Sequence, residues 1–261
     1  MSNAISVKGL VIKTVDYRES DRIVTIFTEE MGVVSALARS ARSLKSRKMS
    51  ATLQFCYSSF ILTKRGEYYD VKEAELIESF FDIRKTVDGL ALSAYIAEVL
   101  SYVTVAEAER ELLRLSLNSL YAIASGKYPL NKVKAAFEVR CTSILGFMPD
   151  VTSCATCGEK NGDFFLDVMG GSIQCYACKT KAEKTHIGLL DPHESHIVCI
   201  LSEGARRALL YCIYCPVERL LAFSLSEEEM SLFTKAAEEY LVNQLERGFN
   251  TLDFYKEVSR V

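Results

Sequence analysis

Four of the nine cysteines in this 261-residue chain have the spacing of a metal site: Cys154-x-x-Cys157, seventeen residues, then Cys175-x-x-Cys178. A two-residue gap lets one tight turn present two sulfurs to a single ion, and Zn2+ favours four thiolates in a tetrahedron. Gly158 follows the first pair, where backbone freedom helps the turn. Phe164-Phe165-Leu166 and Ser172-Ile173-Gln174, linked across Gly170-Gly171, can form a hairpin that brings the two pairs together, as in a zinc ribbon. Four protein ligands leave no open coordination position, so the expected cofactor is one structural Zn2+. The bland alternative is coincidental buried cysteines. A third pair, Cys212-x-x-Cys215, has no matching second pair and lies in an apolar helical context. Core packing is expected for it and for Cys56, Cys141 and Cys199.

The second constellation is cationic. Arg39, Arg42, Lys45, Arg47 and Lys48 fall in a stretch without an acid, interleaved with serines, and Lys13, Arg18 and Arg22 are near in sequence. Residues 1–66 carry 11 Lys and Arg against 5 Asp and Glu, whereas the other 195 carry 20 against 29, so the net charge of -3 conceals a basic N-terminal part. Such cations release counterions from a nucleic-acid backbone, and serine hydroxyls donate to phosphate oxygens. Charge runs are also commonly just solvated loops. Phe55, Tyr57, Phe60, Tyr68 and Tyr69 offer rings for base stacking, but aromatics at strand spacing are mostly core, so one or two at most are expected to serve.

Catalytic patterns fail on spacing. His193-Glu194-Ser195-His196 has its histidines three apart, unlike a zinc-protease helix, and no deaminase signature accompanies the cysteines. Gly126-Lys127-Tyr128 lacks the hydroxyl residue and glycine-rich loop of a phosphate cradle. The three histidines, all within 186–196, read as a surface connection. No nucleophile is paired with a base, and a non-catalytic protein is expected.

The elements that must hold these groups change character along the chain. Val7 to Val15, Arg22 to Thr28, Val33 to Ala38 after Gly32, Phe55 to Thr63 and Tyr68 to Ile77 read as strands, with a turn at Arg65-Gly66-Glu67. Five short strands suggest a small closed barrel of the OB type, which removes exposed edges. Beyond residue 82 the period becomes helical. Leu90 to Val103 is one helix, and Leu113, Leu117, Leu120 and Ala124 line another that stops at Gly126. Asn131 is a candidate cap for a helix presenting Val133, Phe137, Cys141 and Ile144 up to Gly146. Ser226 and Glu229 have capping-box spacing before Met230, Phe233, Ala237 and Tyr240, a helix running to Gly248. The expected class is α+β: an OB-fold barrel over 1–80, then a helical domain over 81–261 interrupted by a zinc-ribbon insertion at 152–184. No run approaches the ~18 apolar residues of a membrane span, and Met1 to Lys8 has no apolar run behind a basic region. Without an export signal, thiols are expected to stay reduced in the cytoplasm.

The ordered set of motifs resembles the RecO family of bacterial DNA repair and recombination mediators. The likeness runs through residues 17–28 (Tyr17-Arg18-Glu19-Ser20-Asp21-Arg22 onward), Gly32 and the basic run, with Ser40 standing where the family usually has glycine. It continues through Phe137-Glu138, Leu145-Gly146-Phe147-Met148-Pro149, the two cysteine pairs with Gly170-Gly171 between them, and Leu201 to Leu210. Part of the family lacks the four cysteines, which suits a structural metal. The resemblance implies binding of single- and double-stranded DNA, annealing of complementary strands, and action with RecR to load RecA onto DNA coated by single-strand-binding protein. It places phosphate contacts at Arg39, Arg42, Lys45, Arg47 and Lys48, with Lys13, Arg18 and Arg22 next. It also implies a seat for the acidic, apolar tail of the single-strand-binding protein, for which Lys132, Lys134 and Arg140 beside Phe137, Leu145 and Phe147 are the candidates. A nucleoid-associated location follows. The rival readings are a zinc-ribbon DNA-repair enzyme, which needs a positioned catalytic group, and a transcription or RNA-binding adaptor, which needs sequence preference.

Overall fold

The computed structural model describes residues 4–103, 109–185 and 197–259. Five strands, β1 (Ala4–Tyr17), β2 (Asp21–Thr28), β3 (Gly32–Ala38), β4 (Cys56–Arg65) and β5 (Tyr68–Ser79), close a barrel in the order β1-β2-β3-β5-β4. A short helix, α1 (Lys48–Ala51), lies in the β3–β4 connection. Strict alternation explains the closure: β3 buries every second residue, and Val24, Ile26, Val34, Ala36, Phe60, Leu62 and Val71 meet in one apolar interior. β1 is long enough to serve two neighbours. Its first half pairs with β4 and its second half with β2, with a register shift between Val11 and Lys13. Such a bulge bends a strand around a barrel corner. At Gly9 a Cβ would fall 2.4 Å from the Ile26 side chain, so glycine permits the close approach of β1 and β2. The barrel shuts through a short parallel seam, Ala36 against Tyr69 and Leu37 against Asp70.

Two compact units divide the chain, one of residues 1–130 with 249–261 and one of 131–248. In the first unit the barrel is followed by a 3-10 turn (Phe81–Lys85) and by α2 (Val87–Tyr102), α3 (Glu109–Ser125) and the distant α8 (Asn250–Val258). Thr86 caps α2 by accepting from the Gly89 N–H. Phe249 lies edge-on to Tyr95 and Tyr102 at 5.7 and 6.2 Å. The Glu98 carboxylate accepts from the N–H and hydroxyl of Thr251, supplying α8 with a cap its own Phe249 lacks.

The second unit holds α4 (Leu130–Ile144), β6 (Phe164–Asp167), β7 (Ser172–Cys175), α5 (Tyr176–Thr185), β8 (Val198–Leu201), α6 (Glu203–Tyr214) and α7 (Glu227–Gln244). Ser226 and Glu229 close the capping box their spacing predicts. The ribbon is more than the expected hairpin. β6 pairs with β7 on one side and with β8 on the other, so a strand from beyond the cysteine segment completes a three-stranded sheet. Gly171 makes the hairpin turn at φ +62°, and a Cβ there would meet the Tyr240 hydroxyl at 2.8 Å. No described helix is long and apolar enough to cross a membrane. His186, His193 and His196 lie outside the described residues.

Candidate metal centre and nucleic-acid interface

The sulfurs of Cys154, Cys157, Cys175 and Cys178 all lie within 4.8 Å of one another. Zn–S bonds of about 2.3 Å set tetrahedron edges of roughly 3.8 Å, and the Cys157 and Cys175 sulfurs are 3.7 Å apart. The donor set therefore fits one tetrahedral ion. Local hydrogen bonds shape each ligand. The Cys154 N–H donates to Glu159 O and the Gly158 N–H to Cys154 O, closing the first knuckle, while the Ala155 N–H donates to Ile173 O and ties that knuckle to β7. Burial pushes the Cys154 thiol up, but N–H bonds from Cys175, Cys157 and Thr156 outweigh it and bring the pKa down to about 6. Hydrogen bonds with Cys157 and Cys175 push Cys178 up to about 12. Four thiols this close cannot all ionise without a cation among them, and a dication removes that conflict.

One residue the motif does not contain organises the knuckle. The buried Arg206 of α6 donates to Val151 O (3.0 Å), Thr152 O (3.2 Å) and Lys160 O (2.6 Å), and its guanidinium sits 5.2 Å from the Phe164 ring centre. It thus grips both ends of the segment that carries Cys154 and Cys157. Its only sequence signal is a cation in the first turns of an apolar helix. Cys56, Cys141, Cys199, Cys212 and Cys215 are all buried. Burial pushes the thiols of Cys141 and Cys212 well up, which suits packing rather than reactivity.

The cations of the basic run divide by task. Lys13, Arg18, Arg39, Arg42, Lys45 and Arg47 are exposed, whereas Arg22 and Lys48 are partly covered. Arg42 points at Asp16 and donates to the carbonyls of Arg18 and Glu19, stapling the basic segment to the β1–β2 turn. Arg22 reaches Asp16, Thr52 O and the Thr52 hydroxyl. The Lys48 ammonium donates to Val71 O, and burial together with the nearby charges of Lys72 and Arg39 draws its pKa down. Ser40 takes φ +54° while its N–H donates to Asp21, so serine adopts the left-handed backbone that glycine would take without strain.

Of the candidate stacking rings, Phe55 and Phe60 are core, Tyr57 and Tyr69 are half-buried, and Tyr68 is exposed. Tyr17 and Arg65, not among the sequence candidates, line the same cleft as Arg39, Tyr68 and Asp70. Their placement just before the β1–β2 turn and at the β4–β5 turn is the signal that marks them in a five-stranded barrel.

The cationic groove expected at Lys132, Lys134 and Arg140 is corrected by the structure. Lys132 and Lys134 are buried. Lys134 sits between Glu138 and Glu238, 2.8 Å from each. Lys132 donates to Phe223 O and lies 4.4 Å over the Phe223 ring. Arg140, half-buried, donates to Cys215 O. These cations satisfy internal carbonyls and carboxylates, and Lys132 and Lys134 do not rim a surface groove.

Comparisons with known proteins agree with this architecture. The family model described as "Recombination protein O N terminal" matches residues 1–80, and that described as "Recombination protein O C terminal" matches residues 84–192. The protein described as DNA repair protein RecO in Acetivibrio thermocellus is 34% identical over 99% of both chains. Its namesake in Caldicellulosiruptor saccharolyticus is 36% identical over 67% of this chain and 72% of its own. A third, from Caldanaerobacter subterraneus, is 27% identical over 98% of both. Barrel, cysteine cluster and full-length likeness lead to one conclusion: this chain belongs to the RecO family of DNA repair proteins.

Proposed function

We propose that the protein is a non-catalytic recombination mediator. It binds single- and double-stranded DNA, anneals complementary strands, and with RecR helps load RecA onto DNA coated by single-strand-binding protein. The observation that carries the reading is the basic segment between β3 and β4, set on a closed five-stranded barrel with Lys45 and Arg47 exposed. Backbone contacts of this kind hold two polyanions together without covalent chemistry. In this reading Lys13, Arg18, Arg39, Lys45 and Arg47 meet phosphates directly. Arg22, Arg42 and Lys48 shape the segment that presents them.

Residues 1–80 then form the DNA-binding part. Residues 81–261, including the ribbon at 152–184, form the helical remainder that meets protein partners. One Zn2+ held by Cys154, Cys157, Cys175 and Cys178 fastens the ribbon; bound there it supplies folding energy and no reaction. Recognition of the single-strand-binding protein's tail is proposed without Lys132 or Lys134. A reducing, cytoplasmic, nucleoid-associated setting suits free thiols beside DNA. The test is annealing of complementary oligonucleotides without nucleotide, with and without single-strand-binding protein. Annealing in both conditions is expected; failure to bind either strand form overturns the reading.

A further inference from the structure

Strand β5 extends well past its neighbour β3. Their seam consists of Tyr69 against Ala36 and Asp70 against Leu37, and β3 ends at Ala38. From Lys72 to Glu78 the strand pairs with β4 on one side only, and no other described segment bonds to the backbone of 72–78. A groove of about 640 Å3 follows this edge, lined by Ala74 and Leu76, with Lys48 and Lys72 at one end. A second hollow of about 350 Å3 takes over from Glu78 to Asp82, against Tyr121 of α3. Both lie in the first compact unit. Phe81 and Tyr121 are 65% and 61% exposed there, and the Arg84 guanidinium sits 5.7 Å from the Phe81 ring centre.

Side-chain direction decides what fits. Glu73 is in register with Ile61 and Glu75 with Ser59, so both carboxylates stand on the outer face, two residues apart. Ala74 and Leu76 point the other way, opposite Phe60 and Ser58, and are only partly covered. Among the described residues none of Glu73, Glu75 and Glu78 has a cationic partner. β5 also shifts register on either side of Glu73–Leu76. Like charges and bulges keep such an edge from pairing with a second copy of itself, and carboxylates repel nucleic acid. The same carboxylates attract a strand of opposite charge.

We infer that this edge of β5 docks an extended, basic segment of a partner protein, added antiparallel to residues 72–78. Alternate lysines or arginines of that segment meet Glu73 and Glu75, and the apolar residues between them cover Ala74 and Leu76. An arginine near its N-terminal end enters the hollow of Glu78, Asp82 and Tyr121. An acid near its C-terminal end meets Lys48 and Lys72, which stand close enough that the charge of Lys72 helps draw the Lys48 pKa down. The inference does not rest on the proposed DNA binding and adds a protein contact to the barrel.

The test uses the full-length protein and a labelled peptide in which Arg is followed by alternating Val and Lys and a final Asp. Binding is read by fluorescence anisotropy and should slow hydrogen exchange within residues 72–78 while leaving the β1–β2 pairing unchanged. N-methylating the peptide amides that face β5 removes the shared backbone bonds, whereas methylating the alternate set spares them. One methylated peptide should therefore bind about ten-fold or more weakly, and the other about as well as the parent. This contrast needs no variant of the protein. Glu73→Gln with Glu75→Gln should weaken binding by about five-fold, and Tyr121→Ala by about three-fold or more. No binding, or equal binding of the two methylated peptides, overturns the inference, the second result meaning charge attraction without strand addition. Protection by single-stranded DNA of the same residues also overturns it. So does self-association abolished by the Glu73→Gln, Glu75→Gln variant, which assigns the edge to a second copy of the chain.

Discussion

Ser40 and Arg206 show how single side chains carry strain and order in this molecule. A non-glycine residue in the left-handed region costs roughly 1–2 kcal/mol, and the Asp21 bond to the Ser40 N–H offsets part of it. Ser40→Gly should therefore stabilise the barrel by about 0.5–1 kcal/mol, read as a higher urea midpoint for its unfolding. An unchanged or lower midpoint would show that the turn carries no strain. Arg206→Met should cost the second unit about 1–3 kcal/mol, because three carbonyls, the buried one of Val151 among them, lose their donor. Arg206→Lys restores little, since one ammonium cannot reproduce a planar fork. Thermal unfolding followed by zinc release to a chromogenic chelator checks both variants, with faster release expected in each. Lys134 illustrates what sequence hides at this scale. Its spacing to Glu138 looks like a solvated helix face, yet the third member, Glu238, lies a hundred residues on. Only the folded chain reveals the triad as internal.

Among the elements, strand alternation and helix caps were readable because each is a local pattern. The five barrel strands, the Ser226 capping box and the Gly126 stop follow from residue types within a few positions. β8 and α1 are four residues each and are defined by what they pack against, so no local period announces them. α4 buries Lys132 through Val139 without a break, so the stripe of Val133, Phe137 and Cys141 announces the helix but not that its other faces are covered too. The four cysteines were legible because coordination geometry constrains spacing. Their hairpin was legible too, but its third strand was not, because that strand arrives from a later segment. The ribbon strands are only four residues long, so the metal should carry much of their stability. Adding a strong chelator at neutral pH should abolish amide-exchange protection in β6, β7 and β8 and leave β2 and β3 protected. Uniform loss, or none, would show that the cysteine cluster does not act as a local fastening.

At the scale of the whole molecule, the acidic balance is misleading, because five cations without an acid among them occupy one barrel connection. Binding through phosphates predicts a steep salt dependence, and each lost contact lowers the slope by about 0.9. Lys45→Glu with Arg47→Glu should reduce the log–log slope for DNA binding by about 2 between roughly 50 and 200 mM salt. An unaltered slope removes those two residues from the interface. The parallel seam between β3 and β5 adds a mechanical consequence. A hoop fastened by two residue pairs has a clasp, and stress on the ring concentrates there. Asp70 belongs to that clasp, and the Arg39 and Arg65 side chains both close on its carboxylate, so ion pairs from the two neighbouring turns brace the fastening. The barrel should spring open there first: hydrogen exchange at residues 36–37 and 69–70 should be faster than at the long β1–β2 and β4–β5 pairings, and Asp70→Asn should speed it further.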